Sequence, residues 1–202
     1  MSRDTYGESN LSENPRVLVV DDEPDLADLY AAWLRGEYDV RTAYGGNEAI
    51  SEIESGVDVA FIDRLMPRLS GGELLSRIRS EGYDCRVSIV TAVEPDFDII
   101  EMGFDEYMVK PIRREELREV VEALLTRSTY DEQLQDFFAL ASKRAALQAE
   151  KTPRELRESD AYRELNAEFE RLGTELERTT DRLRPRDFEV EMRQQTTSAL
   201  DE

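Results

Sequence analysis

The 202-residue chain contains no histidine, a single cysteine and only three lysines (Lys110, Lys143 and Lys151). Without histidine it has no phosphohistidine of its own, no imidazole base and no histidine-ligated metal. Cys85, standing alone, permits no intramolecular disulfide and fits a reducing compartment. No apolar run approaches the ~20 residues that cross a bilayer. The polar, acidic residues 1–15 lead into no apolar signal-peptide core. The chain is therefore expected to be soluble and cytoplasmic, with no membrane partner. Positive charge is scarce as well: 46 Asp and Glu stand against 26 Lys and Arg, a net charge of −20. That balance offers no basic footprint for nucleic acid. With so few lysines among its basic residues the chain reads as adapted to high salt, where screening shortens repulsion to a few ångströms. Any chemistry must use carboxylates, hydroxyls, amines and backbone.

What is present is a regular alternation. Short apolar runs at Arg16–Val20, Tyr38–Ala43, Asp58–Ile62, Arg86–Val90 and Glu106–Val109 read as strands. Between and after them, Pro24–Gly36, Asn47–Glu54, Gly72–Arg79, Asp96–Met102 and Arg113–Thr126 carry helical periodicity. Five strands alternating with five helices predict an α/β, doubly wound five-stranded parallel sheet covered on both faces. In such sheets ligands bind beyond the carboxyl ends of the strands. The polar residues at those ends are Asp21, Asp22, Asp63, Thr91 and Lys110. Each alone has a plainer reading. Asp22 suits an N-cap for the helix at Pro24, Asp63 a loop, Thr91 a strand interior, Tyr107 the core and Lys110 the surface. Together, three carboxylates repel unless a cation joins them, and all-oxygen ligation favours Mg²⁺. Asp63 is then placed to attack a phosphoryl group whose charge the metal and Lys110 offset, while the Thr91 hydroxyl donates to one of its oxygens.

These stretches (Val-Val-Asp21-Asp22-Glu; Ile-Asp63-Arg-Leu-Met66-Pro67 followed by Gly71; Val-Thr91-Ala92; Tyr107-Met-Val-Lys110-Pro111) resemble the receiver domain of two-component response regulators, over about residues 16–127. The resemblance implies a flavodoxin-like receiver fold and a sensor histidine kinase as partner. It also implies that Asp63 accepts the phosphoryl group from the kinase's phosphohistidine and that Asp22 ligates Mg²⁺ directly. Asp21 assists through water, and the main-chain carbonyl of Leu65 supplies the third protein ligand beside Asp22 and Asp63. Thr91 and Tyr107 form the switch pair, and Lys110 holds the phosphate. The chain departs from the family pattern in two ways. The stretch from Thr91 to Lys110 is about one helical turn short, so the helix before the fifth strand is expected to be brief. That puts the family's common dimer face, built on that helix, the fifth strand and the helix after it, in question. Leu65 and Val93, two residues after Asp63 and Thr91, are apolar where polar groups often orient attacking water. A slowly decaying aspartyl phosphate is therefore expected.

After residue 127 no strand-like run appears. Thr129–Ala149 reads as a helix with an apolar stripe of Tyr130, Leu134, Phe137, Phe138, Ala141, Ala145 and Leu147. Thr152-Pro153-Arg154-Glu155 reads as a capping box opening a second helix, with Leu165, Phe169, Leu172, Leu176 and Leu183 at coiled-coil-like spacing up to Pro185. The expected layout is a disordered lead-in at 1–15, the receiver at 16–127, an α-helical hairpin or coiled coil at 128–185 and a flexible tail at 186–202. Tyr130-Asp-Glu-Gln-Leu134, Phe137 and the residues through Leu147 resemble the HalX-type domain that follows receivers in haloarchaea. The hairpin cannot bury its stripe alone. Output is thus expected through an unknown output protein or a homodimer. Direct DNA binding is the alternative, opposed by 18 acidic against 12 basic residues after position 127.

Overall fold

The computed structural model describes residues 14–54, 56–95, 99–100 and 102–183. In chain order its elements are β1 Arg16–Val20, α1 Pro24–Leu34, β2 Asp39–Ala43, α2 Gly46–Glu54, β3 Val59–Asp63, α3 Gly71–Ser80, β4 Arg86–Thr91, β5 Glu106–Val109, α4 Arg114–Glu150, α5 Pro153–Glu158 and α6 Asp160–Thr180. The chain divides into two compact units, residues 1–118 and 119–202.

In the first unit the five strands pair in parallel in the order β2-β1-β3-β4-β5. Every residue of β3 is buried, as a central parallel strand flanked on both faces requires. Leu18, Val20, Ala60, Ile62, Val87 and Ile89 point to the side covered by α2 and α3, where Ile53, Leu74, Leu75 and Ile78 complete one core. Val17, Val19 and Phe61 alternate with them and are buried on the opposite face. The order reverses at β1: the chain steps out to β2 and returns to β3 on the other side. This opens a crevice at the carboxyl ends of β1 and β3.

Two caps fix where helices begin. Pro24 occupies the first turn of α1, and the N-cap is Glu23, which makes no side-chain cap bond. Asp22 is therefore not the cap of that helix. Ser70 caps α3 in a reciprocal box with Glu73, a signal that the sequence carries and helical periodicity alone passes over.

The second unit departs from the sequence expectation in three respects. The helices expected at Arg113–Thr126 and Thr129–Ala149 are one continuous helix, α4. No glycine or proline separates them, and the hydroxyls of Thr126 and Thr129 bond back to the carbonyls of Glu122 and Leu125, so the threonines fit inside the helix. The helix expected from the Thr152 capping box is broken at Ser159, whose extended backbone ends α5 and whose hydroxyl accepts from the Tyr162 amide to cap α6. The apolar stripe is also split: Phe137 stacks on Phe169 at 4.5 Å, whereas its neighbour Phe138 is 61% exposed. Adjacent helical positions lie about 100° apart, so both cannot face α6. Contacts Gln133–Thr179, Phe137–Phe169 and Gln148–Tyr162 run in opposite directions along α4 and α6, which makes the pair antiparallel. Of α5 and α6 only Leu172 and Thr179 are buried. The helix expected at Asp96–Met102 falls largely outside the described residues, and the lead-in and tail expectations lie outside them almost entirely.

Candidate functional site

The crevice collects the predicted polar residues because each follows the last apolar residue of a strand. Asp21 is set by its amide, which donates to the Ala43 carbonyl at the end of β2. Its side chain is buried; Oδ1 accepts from the Glu23 amide at 3.0 Å and Oδ2 from Lys110 Nζ at 2.7 Å. Asp63 closes β3 and is also buried. Oδ1 accepts from the Leu65 amide at 3.0 Å and Oδ2 from the same Lys110 Nζ at 2.6 Å. Asp22, half-buried, completes a trio with carboxylate oxygens within 4.8 Å of one another. Lys110 reaches in from the end of β5, where its amide donates to the Thr91 carbonyl at 2.8 Å and the peptide to Pro111 is cis.

Three carboxylates and one ammonium leave the crevice with an excess of negative charge. Burial pulls the Lys110 pKa down, but the hydrogen bonds and charges of Asp21 and Asp63 outweigh it, and the ammonium is held above its ordinary value. The Tyr30 phenol on α1 is raised too, first by burial and then by the charges of Asp21, Asp63 and Glu23, with Lys110 opposing. The donor set suits a hard divalent cation: it is all carboxylate, with no thiol or imidazole. Adjacent ligands on Mg²⁺ stand ~2.9 Å apart and at most one pair of three can be opposite, so the carboxylate oxygens, within 4.8 Å of one another, would need to close by up to ~2 Å to share one ion.

Thr91 is fully buried; its Oγ1 accepts from the Val93 amide at 3.3 Å. Tyr107 is half-buried, packs on Phe104 at 5.6 Å between centroids and donates its hydroxyl to the Val93 carbonyl at 2.9 Å. Thr91 and Tyr107 thus both bond to Val93, one at its amide and the other at its carbonyl. Of the two apolar positions singled out earlier, Leu65 is 61% exposed and Val93 36%. The structure gathers Asp21, Asp22, Asp63 and Lys110 into one cluster and links Thr91 to Tyr107 through Val93. Leu65 contributes its amide to Asp63.

Two contributions gain their physical reason only in the structure: Gly71, already part of the Asp63 motif, and Asp105, which no motif marked. A Cβ on Gly71 would stand 2.2 Å from the Asp63 carbonyl oxygen, so only glycine lets α3 start against the acid's backbone, where the Gly71 amide donates to the Arg64 carbonyl. Asp105, buried before β5, takes both Arg79 and Arg86 at 2.8 and 2.9 Å and the Val87 amide at 2.8 Å, and so fixes the strand that delivers Lys110.

The family of response regulator receiver domains matches residues 17–122, and the HalX domain family matches residues 126–192. A Haloferax volcanii protein described as a candidate transcriptional regulator is 48% identical over 162 residues, 80% of this chain and 28% of that protein. The alkaline phosphatase synthesis transcriptional regulatory protein PhoP of Bacillus subtilis is 36% identical over 120 residues, 57% of this chain and 50% of PhoP. The chain spans half or less of the length of these curated relatives. Among solved structures, response regulator protein TrrA of Thermotoga maritima, in complex with Mg²⁺ and BeF, is 37% identical. It covers 55% of this chain and 99% of its own, with a TM-score of 0.50. Among the described residues no helix is long and apolar enough to cross a membrane.

Proposed function

The chain belongs to the response regulators, with a receiver domain followed by a HalX domain, and from that premise we propose that Asp63 is its phosphate acceptor. The receiver is taken as 16–127 and the helical output region as 128–185, acting in the cytoplasm. The donor is a phosphohistidine on a sensor histidine kinase. Asp63 attacks phosphorus; the P–N bond breaks as the P–O bond forms, and imidazole leaves. Asp22, Asp63 and the Leu65 carbonyl would hold Mg²⁺, with Asp21 assisting, and the ion would offset charge on the phosphoryl oxygens. Lys110 trades its bonds to Asp21 and Asp63 for one to a phosphoryl oxygen. The Thr91 hydroxyl turns from the Val93 amide toward another, and Tyr107 follows as its Val93 partner moves.

The observation that carries this reading is the Lys110 ammonium held between Asp21 and Asp63 at 2.7 and 2.6 Å: a cation poised beside the nucleophile, in a crevice still short of positive charge. The test is incubation with a small-molecule phosphodonor or a phosphorylated kinase in Mg²⁺, followed by quantifying hydroxylamine-sensitive phosphate. Wild type should incorporate it; Asp63→Asn and chelator-treated protein should not. Equal incorporation into Asp63→Asn would overturn the assignment.

Output is proposed to run through protein contact by the helical region. A second reading, direct control of transcription on DNA, is favoured by the names that the relatives carry. The acid excess after residue 127 opposes it. A gel shift with the promoter-proximal DNA of the protein's own locus separates the two.

A further inference from the structure

Where α4 turns through α5 into α6, the second unit leaves an open groove of about 620 Å³. Its lining includes Leu147, Leu156, Tyr162 and Leu165 together with the charged Lys143, Lys151 and Glu155. Leu147 is 38% exposed there, an apolar side chain with water over it. Two of the three lysines in a chain of net charge −20 thus border one apolar groove. Lys151 meets Glu155 at 3.8 Å, so the two lysines and one glutamate of the lining leave it a net positive charge. Such a surface fits a segment that is both acidic and apolar.

The sequence contains one such segment after the last described residue. Asp187-Phe188-Glu189-Val190-Glu191-Met192 alternates acid with apolar residue throughout. It also lies inside the HalX match, which runs to residue 192. Its aromatic residue, Phe188, cannot reach the groove of its own chain. From Leu165 to Leu183 the chain follows α6 and its C-terminal turn away from the groove, a distance of ~27 Å at 1.5 Å per residue. The five residues from Leu183 to Phe188 span at most ~18 Å, and the seven to Val190 at most ~25 Å. Leu147 and Leu156, on the far side of the groove from Leu183, lengthen the gap.

We propose that the groove receives the 187–192 segment of a second copy of this chain, with Phe188 and Val190 against Leu147, Tyr162 and Leu165 and the acidic residues toward Lys143 and Lys151. A two-fold axis lets each copy give its segment and take the other's, which closes the assembly at a dimer. This specifies the protein-contact output proposed above. It needs no phosphoryl group, so its failure would leave the role of Asp63 standing.

The test uses the full chain in molar KCl without phosphodonor, by sedimentation equilibrium. Wild type should dimerise. Leu147→Asp, at an exposed groove position, and the triple variant F188A/V190A/M192A should each weaken the dimer by at least about 30-fold, the loss that a central apolar anchor gives. Circular dichroism confirms that both remain folded. Mixing the two variants is decisive: one retains its segment and the other its groove, so together they should form a heterodimer that neither forms alone. A monomeric wild type, a dimer insensitive to both variants, or a mixture that stays monomeric would each overturn the exchange. So would a monomer that admits a labelled 184–195 peptide only when its own segment carries the triple substitution, because that pattern marks occupancy within one chain.

Discussion

Gly71 and Gly72 are adjacent at the start of α3, and the structure assigns opposite signs to the same substitution at each. A Cβ on Gly71 would lie 2.2 Å from the Asp63 carbonyl oxygen and 2.9 Å from the Asp63 carbonyl carbon and the Arg64 Cα, all backbone. Restoring an ordinary contact of 3.4 Å requires a displacement of roughly 1.2 Å. That displacement must come from β3 or from α3, whose Leu74, Leu75 and Ile78 are locked in the core. Overpacking of this kind costs about 1–3 kcal/mol, and restricting the unfolded chain returns about 0.4–1. Gly71→Ala should therefore destabilise by about 1–2 kcal/mol and lower the melting temperature of the receiver unit by roughly 5–10 °C. At Gly72 the nearest atom to a new Cβ is Met102 Cε at 3.6 Å, an ordinary contact. Gly72→Ala should gain about 0.5–1 kcal/mol from helix propensity. Differential scanning calorimetry of both variants at molar salt checks the pair. A Gly71→Ala transition at or above the wild-type temperature, or equal shifts for both, would refute the reasoning.

Three further predictions rest on individual side chains. Burial pushes the Cys85 thiol up to about 11, so at pH 8 it should react with a thiol reagent only as fast as the receiver unit opens, and a reaction rate matching an unfolded control would contradict its burial. The raised Lys110 and Tyr30 values act in the same direction. Both groups bind protons more tightly folded than unfolded, so their contribution is complete below the ordinary values of 10.5 for Lys110 and 10.0 for Tyr30 and is lost as pH rises through the folded ones. Lys110→Met and Tyr30→Phe should each flatten the alkaline limb of a melting-temperature profile, and an unchanged limb would count against the linkage. Leu65→Asn places a polar group two residues after Asp63, where it can orient water, and should shorten the aspartyl-phosphate half-life; a half-life that is unchanged or longer would remove the reason given for slow decay.

The sheet was legible because its strands are short apolar runs that end in charge. β1 and β5 have the boundaries expected, and β2, β3 and β4 differ by a residue at one or both ends. Asp21, Asp22, Asp63 and Lys110 could be placed together because a parallel sheet brings all strand ends to one edge. The single helix α4 was not legible. Read from sequence, one helix ends at Thr126 and the next begins at Thr129, yet hydroxyls bonded to the preceding turn let the helix run on. The Asp105 cluster was equally hidden: Arg79, Arg86 and Asp105 sit on separate segments, and no periodicity relates them. Removing one partner of such a buried pair costs about 3–5 kcal/mol, so Asp105 is best read as part of the framework holding β4 and β5 in register beneath Thr91 and Lys110.

The arrangement around Val93 bears on how strongly the site can bias its surroundings. The Thr91 hydroxyl bond at 3.3 Å is long, and the Tyr107 bond to the same residue is 2.9 Å. Neutral bonds of this sort contribute about 0.5–1.5 kcal/mol each, while one to a charged acceptor contributes about 1.5–3. Under the proposed mechanism Thr91 exchanges the weaker kind for the stronger, a differential of about 1–2 kcal/mol. That changes the ratio of two states by roughly 5–30-fold. A shift of this size matters only if the two states are close in energy beforehand. A Val93 segment held by one long hydrogen bond and one ordinary one, with its side chain 36% exposed, offers little resistance to such a shift. Strengthening its hold would silence the switch as effectively as removing the Thr91 hydroxyl.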